Sequence, residues 1–166
     1  MTPESVGPLS RPVSVVRLPA EGQEVIVEAS AEERAALARD FNLPAIHALC
    51  GRFRLSGSPS RVHVTGLVTA RVSQTCVVTL DAFEAEIAEE VEIDFSSAEP
   101  STSPGEEEEP PDPIVAGHID LGAVTAEFLA LGLDPYPRKP GARFEGASEL
   151  RPESPFAALD RLKRNE

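Results

Sequence analysis

The sequence predicts an α+β fold: a twisted antiparallel β-sheet of about five or six strands in a meander, open or partly closed, with two packed helices and a disordered acidic loop. Three observations carry that prediction. Residues 61–95 alternate apolar and polar side chains with period two, interrupted by Ser73-Gln74-Thr75-Cys76. Two segments, one after Ser30 and one after Asp120, place helix-start chemistry ahead of helical periodicity. Residues 96–113 hold serine, proline and acid with no bulky apolar side chain, a composition that cannot offset the entropy of ordering.

Taken in order, residues 1–10 read as a flexible leader, 11–144 as the domain, and 145–166 as a tail. The β-rich runs at 12–18 and 24–29 flank Glu21-Gly22 and predict a hairpin. Ser30 and Glu33 form an S-x-x-E capping box, in which each side chain satisfies the other residue's free backbone N–H. A helix over 31–41 comes next, with Leu37 and Phe41 on one face and Asn42 closing it ahead of Pro44. Alternation over 46–55 predicts a strand with His47, Leu49, Phe53 and Leu55 on one face and Cys50, Arg52 and Arg54 on the other. Gly51 is its expected bulge. After the turn at 57–60, Val62, Val64, Val68, Ala70 and Val72 face the core, then Ile87, Val91, Ile93 and Phe95. Arg61 and Arg71 are expected to meet the outward row Glu86, Glu90, Glu92 and Asp94 as cross-strand pairs of ~0.2–1 kcal/mol each. Glu89 falls on the apolar face, which predicts a bulge or a sheet edge nearby.

Asp120 is the N-cap of a helix over 121–131 whose stripe is Leu121, Val124, Phe128 and Leu131, with Thr125 alongside. Its single charge, Glu127, is expected to sit in an ion pair or to accept backbone donors, not to act as a catalytic acid. Three prolines in Asp134-Pro135-Tyr136-Pro137-Arg138-Lys139-Pro140 impose an extended exit from that helix. In the tail, Ser154 and Pro155 start a short helix with Phe156, Leu159 and Leu162 as a narrow stripe, too short to stand alone in water.

Charge is distributed unevenly. Residues 81–120 carry 14 acidic side chains and no basic one, so this stretch accounts for the whole net charge of −13. Such a block repels phosphate and disfavours nucleic acid on its own side. The N-terminus shows no signal-peptide pattern and no apolar run is long enough to span a membrane. The expectation is a cytoplasmic protein in which Cys50 and Cys76 stay reduced.

No phosphate-binding glycine loop, nucleophile elbow or H-E-x-x-H motif occurs. Catalytic residues, metal ligands, cofactors and a small-molecule substrate are therefore not expected. His47 and Cys50, with His63, Cys76 and His118, could form a mixed zinc site only if the fold gathered them, and structural zinc ligands come in short-spaced pairs. Cys76 has neutral sequence neighbours and reads as a core thiol; a metal- or thiol-dependent enzyme centred on it is the alternative. The candidate contacts for RNA or a protein partner are Arg52, Arg54, Arg61, Arg71, Tyr136, Arg138 and Lys139. Tyr136 is expected to pack on the core, where tyrosine usually buries its ring, or else to stack on single-stranded RNA between its flanking cations.

Several pieces occur in a specific order: Ser10-Arg11-Pro12-Val13, the capped helix from Glu33 to Ala38, Val64-Thr65-Gly66, and Gln74-Thr75-Cys76 running on to Leu80. Next come the acidic loop, Ile119-Asp120-Leu121-Gly122 through Glu127, Asp134 to Gly141, and Pro155-Phe156-Ala157-Ala158-Leu159. Together, over about residues 10–163, they resemble the YceD family. That resemblance implies a non-enzymatic role in large-subunit ribosomal RNA accumulation, with rRNA, a ribosomal protein or an assembly intermediate of the large subunit as partner. It marks Gln74, Cys76, Asp120 and Glu127 as motif positions. Many members carry C-x-R-C where this chain has Ser73-Gln74-Thr75-Cys76, and some have a second cysteine pair where it has Pro137-Arg138-Lys139-Pro140. A metal role is therefore not carried over.

Overall fold

The computed structural model describes residues 7–98 and 111–144; most of the acidic loop and the whole tail, with its expected helix, lie outside the described residues. In chain order the elements are β1 (Pro12–Ser14), β2 (Gln23–Glu28), α1 (Ala31–Asp40), β3 (Ala45–Ser58), β4 (Arg61–Thr75), β5 (Ala82–Ser96), β6 (Asp112–Pro113), β7 (His118–Asp120) and α2 (Leu121–Gly132). One sheet runs β2-β3-β4-β5-β6 and remains open, and β1 and β7 form a second, two-stranded sheet. All pairs are antiparallel except β5 with β6. This is the α+β architecture that the period-two runs and the two helix starts predict.

The inward positions of β4 and β5 build the core as expected. Val62, Val64, Val68, Ala70 and Val72 lie with Ile87, Val91 and Phe95 in one buried cluster, joined by Leu49, Phe53 and Leu55 of β3. Helix α2 covers this face with Leu121, Val124 and Leu129, and α1 adds Leu37. Helix α1 begins with the predicted capping box. It ends in a left-handed Asn42 (φ 54°), where the Leu43 amide donates to Ala38 O at 2.8 Å and the Asn42 amide to Arg39 O at 3.2 Å.

Several local expectations are corrected. The predicted hairpin between 12–18 and 24–29 does not form: β1 pairs with β7, Pro12 opposite Asp120, and β2 pairs with β3. A turn closed by Gly22 N–H to Pro19 O (2.9 Å) redirects the chain between the two runs instead of pairing them. Packed chain also starts ahead of residue 11, since Leu9 is buried. In β3 the bulge falls between Ile46 and Ala48, turning His47 outward, while Gly51 stays in register between Val27 and Val68. Gly51 serves close packing: a Cβ there would lie 2.5 Å from the Phe53 ring and 2.7 Å from Thr125 Oγ1 of α2.

The α2 stripe is rotated from its predicted position. Leu129 is fully buried and Leu131 is 73% exposed, because the contact face runs along Leu121, Thr125 and Leu129 over Gly51. Glu89 does mark an edge and not a bulge. The β4–β5 register is continuous, and β6 pairs only with Phe95 and Ser96. Neither Arg61 nor Arg71 forms an ion pair within 4 Å among the described residues. The register explains this for Arg61, which faces Ser96, while Asp94, Glu92 and Glu90 fall opposite His63, Thr65 and Leu67. Arg71 does face Glu86 as expected, but their charged groups do not come within 4 Å. His63 takes the acidic partners instead, with Nδ1 3.0 Å from Asp94 and Nε2 3.8 Å from Glu92.

Replacing Gly51 with alanine should push α2 off the sheet and lower stability by about 1–3 kcal/mol, the usual cost of overfilling a packed interface. Thermal or denaturant unfolding of Gly51→Ala checks this; an unchanged midpoint would show that the interface has room to yield.

Candidate functional site

Two clusters gather three of the four motif residues, Asp120 in one and Gln74 with Cys76 in the other. In the first, Asp120 caps α2 by accepting from the amides of Gly122 (2.9 Å) and Ala123 (3.2 Å). The same carboxylate accepts from Ser10 Oγ and from the Arg11 amide, both at 2.6 Å. The Arg11 guanidinium in turn grips Glu33 of the α1 capping box through two bonds, of 2.7 and 2.8 Å. Burial pushes the Asp120 carboxyl up, but the bonds from Ser10, Arg11, Ala123 and Gly122 outweigh it and hold the group below its usual range. Glu33 is lowered further, to about 2, chiefly by Arg11 and then by the Ser30 amide. Gly122 allows this approach, since a Cβ would lie 2.6 Å from Arg11 N. Every oxygen of Asp120 is thus occupied in joining the two helix starts to the β1–β7 pair.

The second cluster lies at the far end of the β4–β5 hairpin. Its turn, residues 76–81, is clamped to the extended chain after α2: Val77 N–H donates to Pro137 O at 2.9 Å. Gln74, buried at the end of β4, donates from Nε2 to Asp134 O at 3.1 Å. Lys139 Nζ lies 3.7 Å from Asp81. Cys76 sits inside this clamp, fully buried yet outside the main apolar cluster. Its Sγ accepts from the amides of Val78 (3.4 Å) and Thr79 (3.5 Å). The Thr79 hydroxyl, against the opposing effect of burial, together with the amides of Lys139, Thr79 and Val78, brings the thiol down to about 7. Cys76 is therefore an acceptor in a cage of donors, not a filler among hydrocarbon. The sequence hides this because one of the donors comes from more than sixty residues downstream.

The clamp displays the segment that leaves it. The Tyr136 amide donates to Asp134 Oδ1 at 2.9 Å, fixing the turn out of α2. The Tyr136 ring is 73% exposed, so the expected packing on the core does not occur; the Pro135 and Pro137 rings on either side leave the chain extended and the ring outside. Arg138 is exposed beside it. Val77 and Leu80, which sequence patterning did not single out, are also exposed on the clamped turn, and Leu80 adopts a left-handed φ of 61°. A β-branched or bulky residue rarely takes that conformation, so it is the one local irregularity that points to this loop.

The remaining candidates are scattered. Arg52, Arg54, Arg61 and Arg71 lie on the sheet face opposite the helices, and Arg54 is shared with Glu24 at 3.4 Å. Arg61 and Arg71 stand ten residues apart on β4, roughly 33 Å, so the four do not form one compact patch. Glu127 has no cation within 4 Å among the described residues: burial and then the neighbouring Asp112 carboxylate push its pKa up. Among the described residues the expected ion pair is absent, and this flank of α2 faces Asp112 of β6. The histidines are dispersed: His47 bonds Ser73 Oγ (2.8 Å), His63 bonds Asp94, and His118 bonds Ala116 O (2.9 Å). Among the described residues no three metal-type side chains converge.

Fold and clamp together define an α+β protein that holds a proline-braced aromatic and two adjacent cations against the end of a long hairpin. The profile of a family described as Large ribosomal RNA subunit accumulation protein YceD matches residues 64–163. The chain belongs to the YceD family, as the order of its motifs implies. The match takes in most of β4, the clamp, α2 and the segment that carries Tyr136. No curated protein and no solved structure matches the chain.

Two titrations probe these clusters. Because Glu33 is lowered to about 2 from an ordinary 4.5, its contribution to stability is complete above pH 4.5 and is lost as pH falls toward 2. Acid unfolding of the Glu33→Gln protein should therefore show a weaker pH dependence in that window than the parent does. In a Cys50→Ser background, the ultraviolet absorbance of the Cys76 thiolate should appear with a midpoint near 7. A Thr79→Val replacement should move that midpoint upward; an unmoved midpoint would remove Thr79 from the cage.

Proposed function

We propose that this protein is a non-enzymatic cytoplasmic factor that supports accumulation of large-subunit ribosomal RNA, and that it contacts single-stranded RNA through Tyr136, Arg138 and Lys139. The family match supports the process. The observation that carries the contact is the 73% exposure of Tyr136, a ring that a folding chain ordinarily buries, held out by prolines beside two cations. A flat ring accepts any base, and adjacent cations track the backbone, which is the chemistry of sequence-tolerant single-strand binding. The carboxylates on the outer surface of β5 disfavour phosphate on that face of the sheet.

A thiol enzyme centred on Cys76 finds no support in the geometry. Its sulfur has no exposed surface and faces donors that hold the turn, so a substrate would have to open the clamp to reach it. The open-face arginines are secondary candidates in this reading, because acidic residues flank them on β2 and β5.

Binding of a short single-stranded oligouridylate, monitored by fluorescence anisotropy, should weaken on Tyr136→Ala by the equivalent of about 1–3 kcal/mol for one stacked base. Replacing Arg138 and Lys139 with alanine should flatten the salt dependence, each lost phosphate contact removing about one counterion. In cells, depletion should lower the ratio of large- to small-subunit rRNA and leave the Tyr136→Ala protein unable to restore it. An unchanged ratio overturns the process, and RNA binding indifferent to all three substitutions overturns the contact.

A further inference from the structure

β5 is a 15-residue strand, and among the described residues its outer edge is paired only where β6 meets Phe95 and Ser96. Ser96 O accepts the Ile114 amide across that edge at 2.9 Å. Backbone groups alternate sides along a strand, and the β4–β5 register has no slip. The N–H and C=O groups of Glu84, Glu86, Ala88, Glu90 and Glu92, and those of Asp94 where β6 begins, therefore all point at the outer edge, which is open from Glu84 to Glu92 among the described residues. Their side chains occupy the uncovered face of the sheet, where Glu84 is 63%, Glu92 81% and Asp94 48% exposed.

The other face of the edge is apolar, with Ile87 and Val91 buried and Ala85 and Ile93 only half-buried. Ala85, Ile87, Val91 and Ile93 face the helix side, with Glu89 the single polar interruption. Above them, α2 comes down on β5 at Gly132, where a Cβ would lie 2.4 Å from Ile87 Cγ2 and 2.8 Å from Glu89 Cγ. Leu131, 73% exposed, lies one turn beyond Glu127, on the flank that faces Asp112 of β6. This leucine is thus left largely uncovered on the flank of α2 nearest β6.

We propose that the free edge of β5 takes an extended protein segment as an additional strand, with basic residues at alternate positions and apolar residues between them. Residues directly opposite one another in a sheet share a face, so positions facing Glu84, Glu86, Glu90 and Glu92 call for lysine or arginine. Alternate side chains in a strand stand about 6.7 Å apart, the spacing of the carboxylates themselves. The intervening positions continue the row of Ile87, Val91 and Ile93. A second copy of this chain is a poor occupant, because two β5 edges would set carboxylates against carboxylates. Nucleic acid is repelled by the same row. Main-chain bonds supply affinity in such strand addition, and the alternating side chains supply the choice of partner.

The test uses the full chain and a synthetic peptide of about ten residues alternating lysine and valine, a length that matches the free edge at roughly 3.3 Å per residue. The peptide should bind in fluorescence anisotropy, and binding should slow hydrogen exchange at the amides of Glu84, Glu86, Ala88, Glu90 and Glu92. Affinity should fall at least tenfold for the Glu86→Lys/Glu90→Lys protein. It should fall as far for a peptide N-methylated at alternate residues, a change that leaves the protein untouched. The proposal is overturned if a peptide of the same composition with its lysines and valines in two blocks binds as tightly. Failure of those five amides to gain protection, or absence of binding, overturns it as well.

Discussion

One ion pair and one carboxylate set the frame on which everything else is hung. Arg11 holds Glu33 at the start of α1 while its backbone amide and the neighbouring Ser10 hold Asp120 at the start of α2. Both helix N-termini, which bring partial positive charge and free amides, are thereby met by carboxylates, and the guanidinium offsets the negative charge that remains. The arrangement constrains its neighbours. Gly122 cannot carry a side chain, β1 must run beside β7, and the first packed residues of the chain must return to a point more than a hundred residues away. The conspicuous Ser10-Arg11-Pro12 and Asp120-Leu121-Gly122 pieces are thus accounted for by architecture.

The Cys76 clamp does a different job. A hairpin of two 15-residue strands ends in the turn at 76–81, and an unsupported turn of that kind would fluctuate. Gln74, the Val77 amide and the Cys76 sulfur tie it to the chain leaving α2, so that strand end, turn and extended segment act as one body. The exposed residues on that body, Val77, Leu80, Tyr136 and Arg138, stand on a braced support. The motif positions Gln74 and Cys76 act here by placing others.

The strands of the meander could be read from the chain because each has one wet and one dry face, so alternation alone reports the inward side of Val62 to Val72 and of Ile87 to Phe95. The two helix starts could be read because capping chemistry is local: Ser30 with Glu33, and Asp120 with the amides of Gly122 and Ala123. What escaped the sequence was set by distant partners. Residues 12–18 look like half of a hairpin until β7 arrives to claim them. Leu129 and Leu131 lie on nearly opposite sides of a helical wheel, and either completes an apolar stripe until Gly51 fixes where α2 touches the sheet. The acidic row is visible, but its register is not: Arg71 does fall opposite Glu86, whereas Ser96 falls opposite Arg61 and Asp94 meets His63. Cys76 is the sharpest case, since its sequence neighbours give no hint of the donor from Lys139.

The bond between Ser10 and Asp120 has a temporal consequence. A chain made from its N-terminus completes β2, α1 and the β3–β4–β5 sheet before the residues of α2 exist. During that interval the valine face of the sheet has no cover, and Ser10 and Arg11 have no carboxylate to receive them. Closure of the domain is therefore a late, long-range event, with contacts that must wait for distant sequence and form slowly once it arrives. A nascent chain of this protein passes through a half-built state whose dry face is open to the medium, and the last strand pair to form, β1 with β7, spans more than a hundred residues.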